Sequence, residues 1–215
     1  MVAHAKPESA PPAVPLARVR AGGRSARIVA EVLRATADEL ARVGYSALRM
    51  EDVAHAAGVN KTTVYRRWPT KMQLVTETLR QVRERCVTPV NTGSVREDLR
   101  LMLREFVEEG RTPFARAWLS ELGNAEVQMI MRGFRHQFES EWTAVIARGM
   151  ARGELPADIS PLLLVEFVIS PVMWRLVRGE EPPTEEFCAQ LIDLVVAGAV
   201  ALAPSAKDEG REARA

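Results

Sequence analysis

Apolar residues recur every three or four positions in this chain from residue 24 to residue 202, which is the period of an α-helix packed on one side. In the first such stretch the apolar positions include Ile28, Val32, Leu40 and Val43. No alternating run of β-branched residues and no Asn-Gly or Asp-Gly hairpin signal interrupts this periodicity. The sequence therefore predicts an all-α fold.

Glycines and prolines divide the periodic region into segments. Gly44 and Gly58 are expected to end the first two helices, and Pro69 the third. Thr70 is a candidate N-cap for the fourth helix. Helices are predicted at residues 24–43, 50–57, 61–68, 71–86, 95–109, 113–123, 125–151, 160–178 and 184–202.

The same breaks predict a flexible tail that ends in basic residues (1–23), a first helical domain (24–88), a larger helical domain (89–203) and a disordered tail (204–215). The first tail is rich in Ala and Pro and has no apolar stretch of the kind found in signal peptides. The longest apolar runs span only 13 residues, whereas a membrane span needs about 20 apolar residues. We expect a soluble, cytoplasmic protein with no membrane partner.

Charge is distributed unevenly along the chain, although 29 Lys and Arg against 28 Asp and Glu give a total of only +1. Residues 16–85 hold 14 Lys and Arg and 7 Asp and Glu, a net charge of +7. Residues 86–215 hold 14 basic and 20 acidic residues, a net charge of −6. This asymmetry indicates nucleic acid or another anionic surface as the partner of the first half.

Residue types used in catalysis and metal binding are scarce. The three histidines, His4, His55 and His136, form no metal-ligand pattern. Cys86 and Cys188 are too far apart in the sequence to form a CxxC pair. No GxSxG, P-loop or GxGxxG motif is present. We therefore expect no enzymatic activity and no metal or cofactor.

The segment MEDVAHAAGVNKTTVYRRW, residues 50–68, has the pattern of a helix-turn-helix. Two short helices meet at Gly58, and glycine accepts the positive φ that such a turn requires. Val53, Val59 and Val64 are expected to face inward, while the rest of the second helix offers polar and basic groups to base edges and phosphates. The alternative, an αα-hairpin with a solvated basic face, is disfavoured by the local charge.

This region resembles the N-terminal DNA-binding domain of TetR/AcrR-family transcriptional regulators over roughly residues 24–80. The resemblance implies an all-α protein with three N-terminal helices for DNA and a larger helical domain for dimerisation and ligand binding. It rests on Gly44, Tyr45, Asp52, Val53, Ala54, Ala57, Gly58, Val59, Lys61, Thr63, Tyr65, Trp68, Lys71 and Leu74.

The resemblance also implies roles for individual residues of the second short helix. Asn60, Lys61 and Thr62 are expected near base edges, and Thr63 and Tyr65 at phosphates. The full set of candidate DNA-binding residues is Arg24, Arg49, Asn60, Lys61, Thr62, Thr63, Tyr65, Arg66 and Lys71.

Other basic residues are expected to contact the DNA, most of them at its phosphate backbone. Arg66 either reads guanine or bridges a phosphate, and Lys71 is expected to clamp the backbone. Relatives usually carry Thr or Ser before the second helix, whereas Arg49 cannot act as a cap but can reach a phosphate. The chain end before the first helix forms either an arm along the DNA or a solvated tail, with Arg18, Arg20, Arg24 and Arg27.

The stretch LVEFVISPVMWRLVRGEEPPTEEFCAQLIDLVVAG, residues 164–198, resembles a C-terminal domain common among actinobacterial members of the family. The resemblance implies a dimer interface in which the last two long helices pair with those of a second subunit. Both helices are apolar around much of their circumference, which fits that interface. The alternative is that both are buried within one subunit.

The helix predicted at 125–151 carries large apolar residues at spacings of three or four. These residues indicate either a pocket for a hydrophobic effector, with His136, Gln137 or Arg175 as polar anchors, or ordinary core packing. The candidate ligand-binding residues are Trp118, Met131, Phe134, Phe138, Trp142 and Trp174.

Together these features predict a ligand-responsive, homodimeric DNA-binding regulator that acts as a repressor. Two recognition helices would enter successive major grooves of a pseudo-palindromic double-stranded operator. A small hydrophobic effector would bind the acidic domain and favour a dimer whose recognition helices are wrongly spaced for DNA. The alternative is a sequence-tolerant DNA-coating protein.

Overall fold

A computed structural model describes residues 23–86, 90–179 and 181–202, and over these residues the chain contains nine α-helices and no strand. The all-α prediction is confirmed. The tails at 1–22 and 203–215 lie outside the described residues. The helices are α1 (Arg24–Ala47), α2 (Met50–Ala56), α3 (Lys61–Arg67), α4 (Lys71–Cys86), α5 (Val95–Gly110), α6 (Pro113–Leu119), α7 (Ala125–Ala151), α8 (Pro161–Arg178) and α9 (Glu185–Ala201).

Gly44 interrupts α1 with a φ of 75°, a conformation that costs glycine no steric clash. The chain therefore turns where the sequence predicts the end of the first helix. One further helical turn, up to Ala47, follows the glycine and was not predicted. A Cβ atom at Gly44 would lie 2.5 Å from Oε1 of Glu121, so the backbone also approaches a neighbouring segment closely at this point.

Side-chain caps fix where several helices begin. The predicted cap Thr70 accepts a hydrogen bond from the Gln73 backbone N–H at 3.2 Å, and the Gln73 side chain accepts one from the Thr70 N–H at 3.3 Å. This reciprocal pair is a capping box and starts α4 directly after α3. Asn60 caps α3 by accepting a hydrogen bond from the Thr62 N–H at 2.9 Å.

The interior consists of two hydrophobic clusters. The first joins α1–α4 to α6 and the beginning of α7, and it includes Trp118, Val127 and Ile130. The second joins α5, α8 and α9 to the remainder of α7. We call α1–α4 the N-terminal unit and α5–α9 the C-terminal unit. The boundary at residues 88 and 89 stays a prediction, and the packing of the first cluster extends across it.

The C-terminal unit leaves large apolar side chains exposed on its last two helices. On α8, Leu163, Phe167 and Trp174 follow one another at helical spacing and are 46%, 59% and 62% exposed. On α9, which packs beside α8, Leu194 is 73% exposed. We call these four side chains the apolar face. Large exposed apolar side chains on two neighbouring helices mark a contact surface more often than a solvated one.

The described residues form neither a membrane-spanning helix nor a cluster of metal ligands. No helix in the described ranges is long and apolar enough to cross a lipid bilayer. Within the same ranges, His, Cys, Asp and Glu nowhere gather in the groups of three or more that could hold a metal ion.

Candidate nucleic-acid interface and ligand cavity

The turn between α2 and α3 is built on Gly58, which has a φ of 64°. The Gly58 and Val59 N–H groups donate to carbonyl oxygens of α2, each at 3.0 Å, so the turn closes directly onto the end of that helix. Val53 and Ala54 of α2 and Val64 of α3 are buried beneath it. These contacts hold α3 at a fixed angle to α2, which is the arrangement of a helix-turn-helix.

The opposite side of α3 faces solvent with polar and basic groups. Lys61, Thr62 and Arg66 are exposed, Thr63 is partly buried, and Tyr65 is 39% exposed. Asn60, which was predicted near base edges, uses its side-chain oxygen as the helix cap. The structure therefore brings these sequence-predicted DNA-binding residues together along a helix of seven residues.

A carboxylate from α2 lies within this basic surface. The Tyr65 hydroxyl donates a hydrogen bond to Oε1 of Glu51 at 2.8 Å, and Nε of Arg49 lies 4.0 Å from the other oxygen of Glu51. The hydrogen bond from Tyr65 holds the pKa of Glu51 below its ordinary value, so the carboxylate is ionised at neutral pH. Tyr65 and Arg49, both predicted to meet phosphates, are thus paired with an acidic group in the free protein.

Lys71 at the start of α4 is also engaged within the protein. Its ammonium donates to the Tyr45 carbonyl oxygen at 2.9 Å and lies 4.4 Å from the centre of the Tyr45 ring. The side chain is partly buried, and it satisfies a carbonyl at the end of α1. A phosphate contact by Lys71 stays a prediction, and it would have to share the ammonium with this carbonyl.

The structure describes less of the predicted basic arm. Arg18 and Arg20 lie outside the described residues, and the side chain of Arg24 is not described. Arg27 is exposed on the first turns of α1.

Hydrogen bonds join the end of α1 to Glu121, which lies between α6 and α7, and to Glu126 in the first turn of α7. The Ser46 backbone N–H donates to both carboxylate oxygens of Glu121, at 2.9 and 3.0 Å, and the Ser46 hydroxyl also donates to this carboxylate. The buried Tyr45 donates its hydroxyl proton to Glu126 at 2.7 Å. These bonds attach the N-terminal unit to the C-terminal unit.

An aromatic contact continues from this junction into the C-terminal unit. The rings of Tyr45 and Trp118 meet edge to face with centres 6.0 Å apart. The Trp118 indole N–H donates to the sulfur of Met131 at 2.9 Å. Trp118 and Met131 line a cavity of about 960 Å³ whose walls come from α4, α5, α6, α7 and α8. Side chains of the cavity wall therefore contact residues of α1 directly.

The cavity combines an aromatic cluster with charged groups. Phe106, Phe138 and Trp142 contact one another, with ring centres 5.8 to 6.2 Å apart. Arg83 of α4 reaches across from the N-terminal unit and forms an ion pair with Glu141 of α7 at 2.8 Å. The wall includes nine charged residues, four arginines and five glutamates, but most of its residues are apolar. A largely apolar cavity of this size is typical of small-molecule sites.

Most of the predicted ligand-binding residues lie at this cavity. Trp118, Met131, Phe134, Phe138 and Trp142 are in its wall.

Trp174 was predicted to bind the ligand but is not in the cavity wall. Successive residues of a helix differ by about 100° in direction, so Trp174 and the residue before it face different ways. Its neighbour Met173 lines the cavity while Trp174 points to solvent and joins the apolar face. The three predicted polar anchors also lie outside the wall. His136 and Gln137 are exposed, and Arg175 stacks 4.0 Å from the centre of the Phe187 ring.

Sequence reasoning missed Glu51 beside Tyr65 of α3, and Arg83, Glu109 and Glu141 at the cavity. Arg83 and Glu141 are 58 positions apart, so no local pattern pairs them. Glu109 follows Phe106 by one helical turn, which is a weak signal that the two share a face.

Comparisons with known proteins agree with this geometry. Residues 32–78 match the family described as bacterial regulatory proteins, tetR family, and residues 89–195 match the tetracyclin repressor-like C-terminal domain.

Individual relatives cover most of the chain. An uncharacterised HTH-type transcriptional regulator of Mycobacterium tuberculosis is 30% identical over 175 residues, 77% of this chain and 84% of that protein. The DNA-binding transcriptional repressor TetR of Mycobacteroides abscessus is 28% identical over 80% of this chain and 92% of its own length. The crystal structure of a TetR family transcription regulator superimposes with a TM-score of 0.65 at 29% identity and covers 80% of this chain and 98% of that one.

The family matches span both units of the chain, and the relatives extend across the turn between α2 and α3. The chain therefore belongs to the TetR family of DNA-binding, helix-turn-helix transcriptional regulators.

Proposed function

We propose that the protein is a cytoplasmic, homodimeric repressor that binds a pseudo-palindromic operator and releases it when a small hydrophobic effector enters the cavity. The observation that carries the proposal is the exposed polar and basic face of α3, held in place by the buried Val64 and by the turn at Gly58. A repressor named among the relatives supports the direction of the effect.

The reading of DNA rests on the residues that α3 exposes. Lys61 and Arg66 carry charge to phosphates or guanine, while Thr62 and the free side-chain amide of Asn60 can bond base edges. Phosphates would compete with Glu51 for Tyr65 and Arg49, because both anions need the hydroxyl proton of Tyr65 and the guanidinium of Arg49.

Dimerisation is supported by the apolar face of α8 and α9. A monomer would leave Phe167, Trp174 and Leu194 in water, and burial of apolar surface contributes roughly 25 cal/mol per Å². A second copy with the same face can cover it through an isologous contact. Two N-terminal units would then reach successive major grooves from one side of the DNA.

The response to an effector is supported by the composition of the cavity wall. Leu79 and Arg83 of α4 contribute to the wall, and three residues separate the end of the recognition helix from the start of α4. An effector that favours a different position of α4 would shift the spacing of the two recognition helices. The size of that shift is limited by the difference in its affinity for the two states.

The proposal is tested with DNA from the region flanking the gene. Fluorescence anisotropy should detect an inverted repeat bound at least about a thousandfold more tightly than random DNA at the same salt concentration. Lys61→Ala combined with Tyr65→Ala should abolish this preference while size-exclusion chromatography still finds a dimer. The control Arg34→Ala removes an exposed charge of α1 that pairs only within its own helix, and it should leave operator binding intact.

The same titrations separate the repressor from the sequence-tolerant alternative. Equal affinity for the inverted repeat and for random DNA at fixed salt would favour a DNA-coating protein. Retained specific binding by the Lys61 and Tyr65 double variant would contradict the assignment of α3 as the recognition helix.

A further inference from the structure

Glu109 of α5 is a carboxyl group of the cavity wall that the proposed function does not use, and it is more buried than Glu105 and Glu166 in the same wall. It lies in the cavity wall one turn after Phe106, on the same side of the helix. Phe106 belongs to the aromatic cluster with Phe138 and Trp142, so this carboxyl and the cluster border the same cavity.

No hydrogen-bond donor among the described residues reaches the Glu109 carboxyl, although a cation is nearby. The guanidinium of Arg83 pairs with Glu141 at 2.8 Å through Nη2, and its centre stands 5.6 Å from the centre of the Phe138 ring, while its Nε is buried without a hydrogen-bond partner. The second oxygen of Glu141 accepts a hydrogen bond from Gln137 at 3.0 Å. Glu141 is therefore satisfied by the protein, whereas Glu109 is open to a donor from outside it.

The local charge favours a cation as that donor. The nine charged side chains of the cavity wall, four arginines and five glutamates, sum to one negative charge when all are ionised. Burial raises the pKa of Glu109, the attraction of Arg83 opposes this, and the repulsion of Glu141 adds to it. An ionised carboxyl in such a place is costly without a partner, and a positive hydrogen-bond donor removes that cost.

The aromatic cluster supplies the second part of the recognition. A cation near an aromatic face gains electrostatic attraction, and the gain grows as water is excluded. Arg83 already uses the Phe138 ring in this way. The apolar remainder of a ligand would pack against Phe106 and Trp142, whose rings contact each other edge to face in the cavity wall.

We propose that the effector is a lipophilic organic amine whose ammonium group pairs with Glu109 while its aromatic or aliphatic part lies among Phe106, Phe138 and Trp142. This assignment rests on the proposed function, because it names the ligand of the regulatory cavity. The carboxyl that the protein leaves open selects the ligand for charge, and the aromatic cluster selects it for apolar surface.

The test uses three probes with the same ring system: 4-biphenylmethylamine, 4-biphenylmethanol and biphenyl-4-carboxylate. Each is titrated into the full chain at neutral pH, and quenching of tryptophan fluorescence reports occupancy because Trp118 and Trp142 line the cavity. The amine should bind at least about tenfold more tightly than the alcohol, a difference of about 1.4 kcal/mol. The carboxylate should bind most weakly.

Glu109→Gln keeps the shape of the side chain and removes the charge. It should lower the affinity for the amine about tenfold and leave that for the alcohol unchanged, so that the preference disappears. The matched control is Glu108→Gln, an exposed neighbour on the same helix that pairs with Arg111 at 3.1 Å. It should leave all three affinities unchanged, and thermal melting checks that both variants are folded.

Equal or tighter binding of the alcohol or the carboxylate would overturn the assignment, as would an undiminished preference in Glu109→Gln or the failure of all three probes to bind. Release of the operator by the amine is measured separately. A charge preference without operator release would support the ligand class and contradict the proposed effector response, whereas specific operator binding without any charge preference would do the reverse.

Discussion

The N-terminal and C-terminal units differ in what they leave at their surfaces. Among the described residues of α1–α4, Tyr65 is the one large apolar side chain that is exposed, and its hydroxyl is hydrogen bonded to Glu51. The C-terminal unit exposes Phe167, Trp174 and Leu194 at 59%, 62% and 73%. One unit thus presents polar groups suited to DNA, and the other presents apolar surface suited to a protein partner.

The difference in charge follows the same division. Residues 16–85 carry a net +7 and residues 86–215 a net −6. Repulsion between the acidic unit and phosphates limits how the molecule can approach DNA, because only the basic unit is attracted. A nearly neutral total charge thus hides a basic part and an acidic part of the chain.

The largest expected effect concerns the apolar face. Phe167→Glu combined with Leu194→Glu places two charges where the proposed dimer buries apolar surface, and should convert the dimer to monomers at micromolar concentration. Operator affinity should fall by about a hundredfold, because the two half-sites would no longer be bound by one molecule. Light scattering and anisotropy measure the two changes.

The control for the apolar face puts the same two charges on α7. Ala144→Glu combined with Ala147→Glu alters exposed positions outside that face and should leave the dimer intact. A dimer that survives the Phe167 and Leu194 changes would show that α8 and α9 do not form the interface.

The second-largest effect concerns the two hydrophobic clusters, both of which include residues of α7. Val127 and Val145 are both buried on α7, but Val127 packs in the first cluster and Val145 in the second. Val127→Ala and Val145→Ala should each lower the free energy of unfolding by about 2 kcal/mol, from lost burial and the space left behind. Hydrogen exchange should accelerate in α1 and α2 for Val127→Ala and in α5 and α8 for Val145→Ala. Identical exchange patterns would mean that the two clusters open together.

A smaller effect is expected at the DNA-facing surface. Glu51→Gln removes the carboxylate that holds Tyr65 and lies near Arg49, so affinity should rise severalfold for operator and random DNA alike, with a steeper dependence on salt. Asp52→Asn is the matched control, since it removes an exposed charge from the adjacent position of α2 and should change affinity less. Equal effects of both substitutions would mean that Glu51 does not act through its contacts with Tyr65 and Arg49.

The smallest effect is a pH dependence in the C-terminal unit. Because burial raises the pKa of Glu109 above its ordinary value of 4.5, the folded state holds this proton more tightly than the unfolded state. The stability contributed by Glu109 is therefore present below that ordinary value and is lost as the pH rises through the raised pKa. The unfolding free energy of the wild type minus that of Glu109→Gln, from urea titrations, should fall over this range. A difference that stays flat or rises with pH contradicts the assignment.

Local signals in the sequence were sufficient for the presence and order of the helices and for the helix-turn-helix, although α1 continues to Ala47 and α6 ends at Leu119, four residues before its predicted end. Glycine at positions 44 and 58 adopts the positive φ that each turn needs, and Thr70 caps α4 through a partner three residues away. Each of these interactions joins residues within a few positions, so their spacing in the sequence already specifies them.

Contacts between distant segments were not accessible in the same way. Trp174 was expected in the cavity and points to solvent instead, because the rotation of α8 about its axis is set by packing against its neighbours. The pairing of Tyr65 with Glu51 depends on the angle at which α2 and α3 cross. Neither the rotation of α8 nor the angle between α2 and α3 can be read from local patterns in the sequence.

By itself, the sequence determined the all-α fold, the position of the recognition helix and the division of charge between the two units, since periodicity, turn residues and charge counts are local properties. The tertiary structure decided which charged groups meet, pairing Arg83 with Glu141 and leaving Glu109 open in the cavity. The physical reason is that these partners lie on three different helices. Their distances depend on how α4, α5 and α7 pack, which no single segment of the chain specifies.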